Sequence, residues 1–125
     1  MYWITENLGT ASLPEKEFIE RVDGVKIELV TDLADGKQEN KGQFKSKVNH
    51  VGKLIKDGNK VIVMCVGGMS RSNAVALAYL VKNGMEFNEA WDLIRDKVPI
   101  AQINMDLIDF VKENYAKFFE SGEKS

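Results

Sequence analysis

The chemistry of this chain converges on one stretch, Val61-Ile62-Val63-Met64-Cys65-Val66-Gly67-Gly68-Met69-Ser70-Arg71-Ser72. A β-branched run ends at Cys65, and an apolar, alanine-rich run opens just past Arg71, so the spacing predicts strand, glycine-containing turn, then helix. That order puts a thiol at the end of a strand and a guanidinium on the first turn of a helix. Between them, the backbone N–H groups of Val66, Gly67, Gly68, Met69, Ser70 and Arg71 are expected to turn inward around one point. The result is an anion nest backed by the positive end of a helix dipole. A cup of this kind fits a phosphate-sized dianion. Arg71 supplies a planar fork that engages two phosphate oxygens at once. Cations are disfavoured at helix N-termini, so an arginine there is better explained by a bound dianion than by solvation. Cys65, in the same field, is expected to be pushed toward thiolate, the form that attacks. An isolated cysteine on an apolar strand is usually an inert core residue. The double glycine and the arginine at fixed spacing favour the nucleophile instead.

These residues carry a resemblance. Cys65-x5-Arg71-Ser72 resembles the signature of the cysteine-dependent protein tyrosine phosphatase superfamily, and Gly68-Met69-Ser70-Arg71-Ser72 is similar to its small dual-specificity branch. Ala78-Tyr79-Leu80, Ala90-x-x-Leu93-Ile94-Arg95 and Asn104 follow the order in which that branch places its helices. The resemblance implies a trimmed, three-layer α/β fold with a central, mostly parallel sheet flanked by helices. It implies a protein phosphatase that hydrolyses phosphotyrosine, and phosphoserine or phosphothreonine with it, through a cysteinyl-phosphate intermediate, with no metal and no other cofactor. Ser72 then hydrogen-bonds the thiolate and eases its departure from the phosphoenzyme.

Displacing a phosphate ester also needs a proton for the leaving oxygen, supplied by a carboxylic acid on a loop over the cup. Asp32 and Asp35 compete for that role. Asp35-Gly36, a polar loop and then Phe44 are similar to the family's acid loop, which favours Asp35 and keeps Asp32 in reserve. Asn104 reads as a helix N-cap and, by resemblance, steadies the phosphate loop. Gln102 matches the glutamine that orients water in tyrosine-specific relatives; its other reading is an exposed loop amide. One residue departs from the pattern: the family has histidine just before the cysteine, and this chain has Met64. That departure motivates a second reading, a phosphate-binding pseudophosphatase with weak catalysis. A third is an enzyme acting on an RNA 5′-phosphate or a phosphoinositide; the absence of lysine between Cys65 and Arg71 weakens the phosphoinositide case, and the near-zero net charge with no basic stripe weakens RNA.

The rest of the chain must position these groups. With 125 residues, it is read as one catalytic domain over residues 1–119 and a flexible tail at 120–125. A net charge of −2 carries no nucleic-acid footprint and no membrane-surface patch. The single cysteine excludes an internal disulfide, and one histidine, His50, beside one cysteine makes no zinc site. No long apolar run or signal peptide is evident. The expected setting is therefore cytoplasmic, and the expected form a monomer. Its partners would be a phosphorylated protein and inorganic phosphate or another oxyanion, with no nucleic acid and no membrane.

Tyr2-Trp3-Ile4 reads as an edge strand. Ser12-Leu13-Pro14-Glu15 opens a helix running to about Arg21, and Val25 to Leu29 alternates as a half-buried strand. Only that one strand is read before the acid loop, where larger relatives have two. Residues 31–42 read as a surface loop. Phe44, Val48, Val51, Leu54 and Ile55 recur at helical spacing, and the central strand begins at Lys60 or Val61. Asn83-Gly84 ends the signature helix. Asn88 is read as the cap of the next helix, with Ala90, Leu93, Ile94 and the Lys97 stem facing inward. Asn104 caps the last, which buries Leu107, Ile108, Val111 and Tyr115. Trp3 and Trp91 read as core.

Overall fold

A computed structural model of the chain describes residues 1–116. The expected C-terminal tail at 120–125 lies outside the described residues. Four strands form one sheet: β1 (Tyr2–Trp3), β2 (Leu8–Ser12), β3 (Val25–Leu29) and β4 (Lys60–Cys65), in the order β1-β2-β4-β3. β4 runs parallel to both β2 and β3, and β1 closes one edge in antiparallel pairing. A 3-10 turn (Leu13–Glu15) leads into α1 (Lys16–Glu20); α2 (Lys41–Lys56), α3 (Arg71–Lys82), α4 (Phe87–Lys97) and α5 (Met105–Val111) follow in chain order. One π-helical turn spans Lys112–Ala116. The sheet is flanked by helices and mostly parallel, as the resemblance implies. Among the described residues, no helix is long and apolar enough to cross a membrane.

The alternation along β4 explains the layering. Val61, Val63 and Cys65 face the larger core, with Phe44, Val48 and Val51 of α2 and Val75 and Leu77 of α3. Ile62 and Met64 point to the other face, against Ala11 and Ile19. Every residue of β4 after Lys60 is buried, as befits a central parallel strand.

Parallel pairing also brings the strand ends together. Ser12 sits opposite Cys65 and Leu29 opposite Met64, so the loops leaving β2, β3 and β4 emerge at one edge. The chain leaves β2 through α1 on one face and β3 through α2 on the other. That reversal leaves a crevice at the carboxyl ends of the strands, where open α/β sheets bind ligands.

Three expectations need correction. β2 is a full strand that the sequence reading omits, so the region before the acid loop carries more sheet than one strand. Its residues, Leu8-Gly9-Thr10-Ala11-Ser12, have weak β-propensity and no clear alternation. They pair because Gly9 permits close approach: a Cβ there would lie 2.7 Å from Ile62 Cδ1 and from the Tyr2 carbonyl. The cap of α4 is Glu86, whose carboxylate accepts from Glu89 N at 3.0 Å, rather than Asn88. Phe87 is buried, which draws the helix start two residues earlier, and Lys97 is exposed rather than part of the inner stripe.

Candidate active site

Cys65 ends β4, and Arg71 opens α3, with Ser70 as the residue before its first turn. The five residues between them form a loop whose peptide planes are held from outside. The Val66 carbonyl accepts from Leu13 N at 3.2 Å, and the Met69 carbonyl accepts from Gln102 N at 2.9 Å. Because a trans peptide points its N–H opposite its C=O, anchoring those oxygens outward turns the N–H groups of Gly67 and Ser70 inward. Among the described residues, no N–H from Gly67 to Arg71 donates to a protein oxygen. A cluster of donors left over in this way is what an anion nest needs.

Gly68 makes the turn possible. Its φ is +70°, and a Cβ built on it would lie 3.1 Å from Ala11 C and from Ser12 N, both rigid backbone. Gly68→Ala is expected to cost about 1–2 kcal/mol for the left-handed conformation alone. It should also push the loop off β2. Melting curves with and without inorganic phosphate check this: the variant should lose the gain that the anion gives the parent, and an intact gain would contradict the packing argument.

Cys65 lies at the floor of the cup, 2% exposed. Ser72 Oγ sits 3.3 Å from its Sγ. Burial by itself pushes the thiol up. The hydrogen bonds from the Ser72 hydroxyl and from the backbone N–H groups of Ser72 and Gly68, with the charge of Arg71, outweigh that burial and bring the thiol below its ordinary value. No imidazole takes part: Met64 points to the opposite face of the sheet. Arg71 Nη1 donates to the carbonyls of Thr31 at 2.8 Å and Leu33 at 3.2 Å, which ties the phosphate loop's arginine to the loop after β3. Among the described residues, no protein group is hydrogen-bonded to the other guanidinium nitrogens.

The two aspartates differ in setting. Asp32 looks toward α2, where its carboxylate accepts from Gln43 Nε2 at 3.1 Å and pairs with Lys47 Nζ at 3.4 Å. Its slight burial works the other way, but these partners hold its carboxyl below the usual range. Asp35 bonds the phosphate loop instead: its Oδ1 accepts from Ser70 Oγ at 2.6 Å. Ser70 Oγ in turn accepts from Asn104 N at 2.9 Å, and Asn104 Nδ2 donates to the Asp35 carbonyl at 3.0 Å. Asn104 also caps α5, its Oδ1 accepting from Asp106 N at 2.9 Å. An open pocket of about 450 Å³ lies here, lined by Asp35, Ser70, Gln102, Ile103, Asn104 and Met105. The structure thus brings Cys65, Val66 to Ser72, Asp35, Gln102 and Asn104 into one neighbourhood and leaves Asp32 outside it.

Two polar residues near the loop escape the sequence reading. Asn73 and Thr10 are both fully buried and bonded to each other. The available signal was Asn73 itself, an amide in an apolar helix, since a buried amide must find partners. Thr10 gives none, because the residues around it show no strand alternation.

The chain matches the family model described as the dual specificity phosphatase catalytic domain over residues 9–117. It is 33% identical over 94 residues to MAP kinase phosphatase with leucine-rich repeats protein 3 from Dictyostelium discoideum, a match covering 72% of this chain and 11% of that protein. In fold it is similar to human DUSP28, with a TM-score of 0.80, 16% identity, and coverage of 98% of this chain and 99% of that one. It is also similar to a mouse putative dual specificity phosphatase complexed with zinc tungstate, with a TM-score of 0.81, 17% identity, and coverage of 98% and 89%. The chain spans between 10% and 33% of the length of the curated relatives it matches.

Proposed function

We propose, because the chain belongs to the dual specificity phosphatase family, that its cup hydrolyses phosphate monoesters on proteins: phosphotyrosine, and phosphoserine and phosphothreonine as well. The observation that carries this reading is the cup itself, a thiol brought toward thiolate beside an arginine and beneath N–H donors that no protein oxygen among the described residues accepts. Over residues 1–119 the chain is proposed to act as one catalytic domain, monomeric and cytoplasmic.

In the proposed reaction the Cys65 thiolate attacks phosphorus in line. Arg71 and the N–H groups of Val66, Gly67, Gly68, Met69 and Ser70 hold the equatorial oxygens, charges the enzyme meets with donors fixed in advance. The bond to the leaving oxygen breaks as Asp35 gives that oxygen its proton. Water then attacks the thiophosphate and passes a proton to the Asp35 carboxylate. The thiolate departs as Ser72 Oγ–H donates to the sulfur. Ester and water become alcohol or phenol and inorganic phosphate. Asn104 steadies the acid loop against the phosphate loop, and Gln102 lies within reach of the attacking water. The tungstate of the mouse neighbour is tetrahedral like phosphate, which supports the same class of anion here.

Two features favour protein substrates of both kinds. The pocket beside the cup is open and lined in part by Met105, which is 70% exposed, and Val66 and Met69 of the loop itself are 53% and 41% exposed. A phenyl ring finds apolar contact there, while a shorter side chain still reaches the thiol. Matched phosphotyrosine and phosphothreonine peptides should both be turned over. A binding-only protein, the reading that Met64 motivates, predicts no turnover and alkylation of Cys65 by iodoacetate at an ordinary thiol's pH. The direction of the Cys65 shift speaks against it.

Asp35→Asn tests the acid. It should lower kcat on both peptides by about 10²-fold, the usual scale of general acid catalysis. Asp32→Asn, an exposed and screened pair, should change kcat by less than about twofold. Loss confined to the Asp32 variant would reverse the assignment.

A further inference from the structure

The inward turn of the phosphate loop depends on which way its peptide planes face, and one side chain holds two of them, the Gly68 carbonyl by itself and the Met69 carbonyl together with Gln102 N. Asn73 Nδ2 donates to the Gly68 carbonyl at 3.1 Å and to the Met69 carbonyl at 2.9 Å. The amide's oxygen is held in turn, accepting from Thr10 Oγ1 at 3.2 Å. Both residues are 0% exposed, so no water can substitute for either partner. The carbonyls of Gly68 and Met69 belong to the same peptide planes as the N–H groups of Met69 and Ser70. Drawing those oxygens down toward α3 points both N–H groups the other way, into the cup.

We propose that Asn73, oriented by Thr10, is a positioning residue that locks the phosphate loop in its anion-binding conformation. This rests on the reading of the loop as an oxyanion site. The amide is suited to the task because it has two donor hydrogens for two carbonyls and one oxygen for the hydroxyl. Thr10 adds rigidity of a kind that a loop residue could not. It sits on β2, in register with Val63 of β4, so the clamp is anchored on the strand beside the one that ends in the nucleophile. Thr10 shares the face of Val63 and Cys65, opposite to Met64. Without the clamp, the plane between Gly68 and Met69 is free to rotate. A carbonyl would then face the anion where an N–H should.

The test compares Asn73→Ala, Thr10→Val and Thr10→Ser with the parent protein. Two readouts are taken on each: the concentration of inorganic phosphate that half-protects Cys65 from iodoacetate, and the pH midpoint of alkylation without phosphate. Asn73→Ala should need about tenfold more phosphate, the scale of one well-made hydrogen bond to a charged group. Its alkylation midpoint should move up, because a misdirected loop no longer favours thiolate. Thr10→Val should move both in the same direction by about threefold in phosphate, since the amide is kept but no longer oriented. Thr10→Ser, which retains the hydroxyl, should restore both. A residue that only packs would lower the melting temperature and leave phosphate protection and midpoint unchanged; that result overturns the proposal. Should Asn73→Ala fail to fold, the Thr10→Val and Thr10→Ser pair decides, and equal phosphate protection in the two overturns it. Phosphate protection in the parent and in every variant alike defeats the clamp and leaves the oxyanion site standing. No protection in the parent defeats both.

Discussion

Cys65→Ser should bring turnover of an aryl phosphate down by on the order of 10⁵-fold, essentially to background, while inorganic phosphate still binds. The two parts of that expectation come from different features of the site. Turnover depends on sulfur, because a serine hydroxyl in the same cup stays protonated where a thiol can be brought to thiolate. The contacts that lower the thiol, from Ser72, from the N–H of Gly68 and from Arg71, act on the small difference between thiol and thiolate at neutral pH. They cannot close the much larger gap for an alcohol. Binding depends on the N–H groups between Gly67 and Arg71 and on the guanidinium, none of which the substitution touches. Calorimetric titration with phosphate and initial rates on p-nitrophenyl phosphate measure the two separately. Retained turnover would remove the nucleophile from Cys65. Lost binding together with lost turnover would mean the loop collapses without its sulfur.

Arg71→Lys carries the second large effect. It keeps the charge and should nonetheless cost on the order of 10³-fold in kcat/KM. Lysine offers three hydrogens around one nitrogen and cannot span two equatorial oxygens. It also cannot keep the two contacts of Arg71 Nη1 with the Thr31 and Leu33 carbonyls while reaching the cup. Those contacts hold the start of the acid loop, so the variant should also weaken the dependence of rate on Asp35. A double-mutant cycle with Asp35→Asn reads that coupling: the two losses should combine to less than their product. A lysine variant within about tenfold of the parent would show that Arg71 acts as a point charge, with no fork geometry involved.

Much of this site is local in the chain, and that is why it could be read without coordinates. Cys65 through Ser72 are eight consecutive residues, and the strand before them and the helix after them announce themselves by periodicity. Gly68 could be placed at a turn because glycine is the residue that takes a positive φ without cost. Phe44 and Val48 mark α2 in the same way. Asp35 was legible only in part. The chemistry demanded an acid, but two aspartates three residues apart both sat on a polar loop, and the choice rested on resemblance. Tertiary structure separates them by partner: Asp32 toward Lys47, Asp35 toward Ser70.

What lay beyond reading has a common physical cause, namely pairing between distant residues whose own types are unremarked. β2 is Leu8-Gly9-Thr10-Ala11-Ser12, mostly small residues that form a strand because β1 and β4 flank them more than by their own preference. Thr10 meets Asn73 across 63 residues and Asn104 meets Asp35 across 69. Local pattern carries no trace of either contact.

Spacing within one short segment was enough to set a thiol at the end of a strand and an arginine at the start of the helix that follows. The tertiary fold was needed to tell which aspartate bonds Ser70 of the loop, which carbonyls Arg71 holds, and which buried amide bonds the Gly68 and Met69 carbonyls. Those depend on how parallel pairing stacks the ends of β2, β3 and β4 at one edge of the sheet, and hydrogen bonds between residues so far apart in the chain exist only after the sheet has formed.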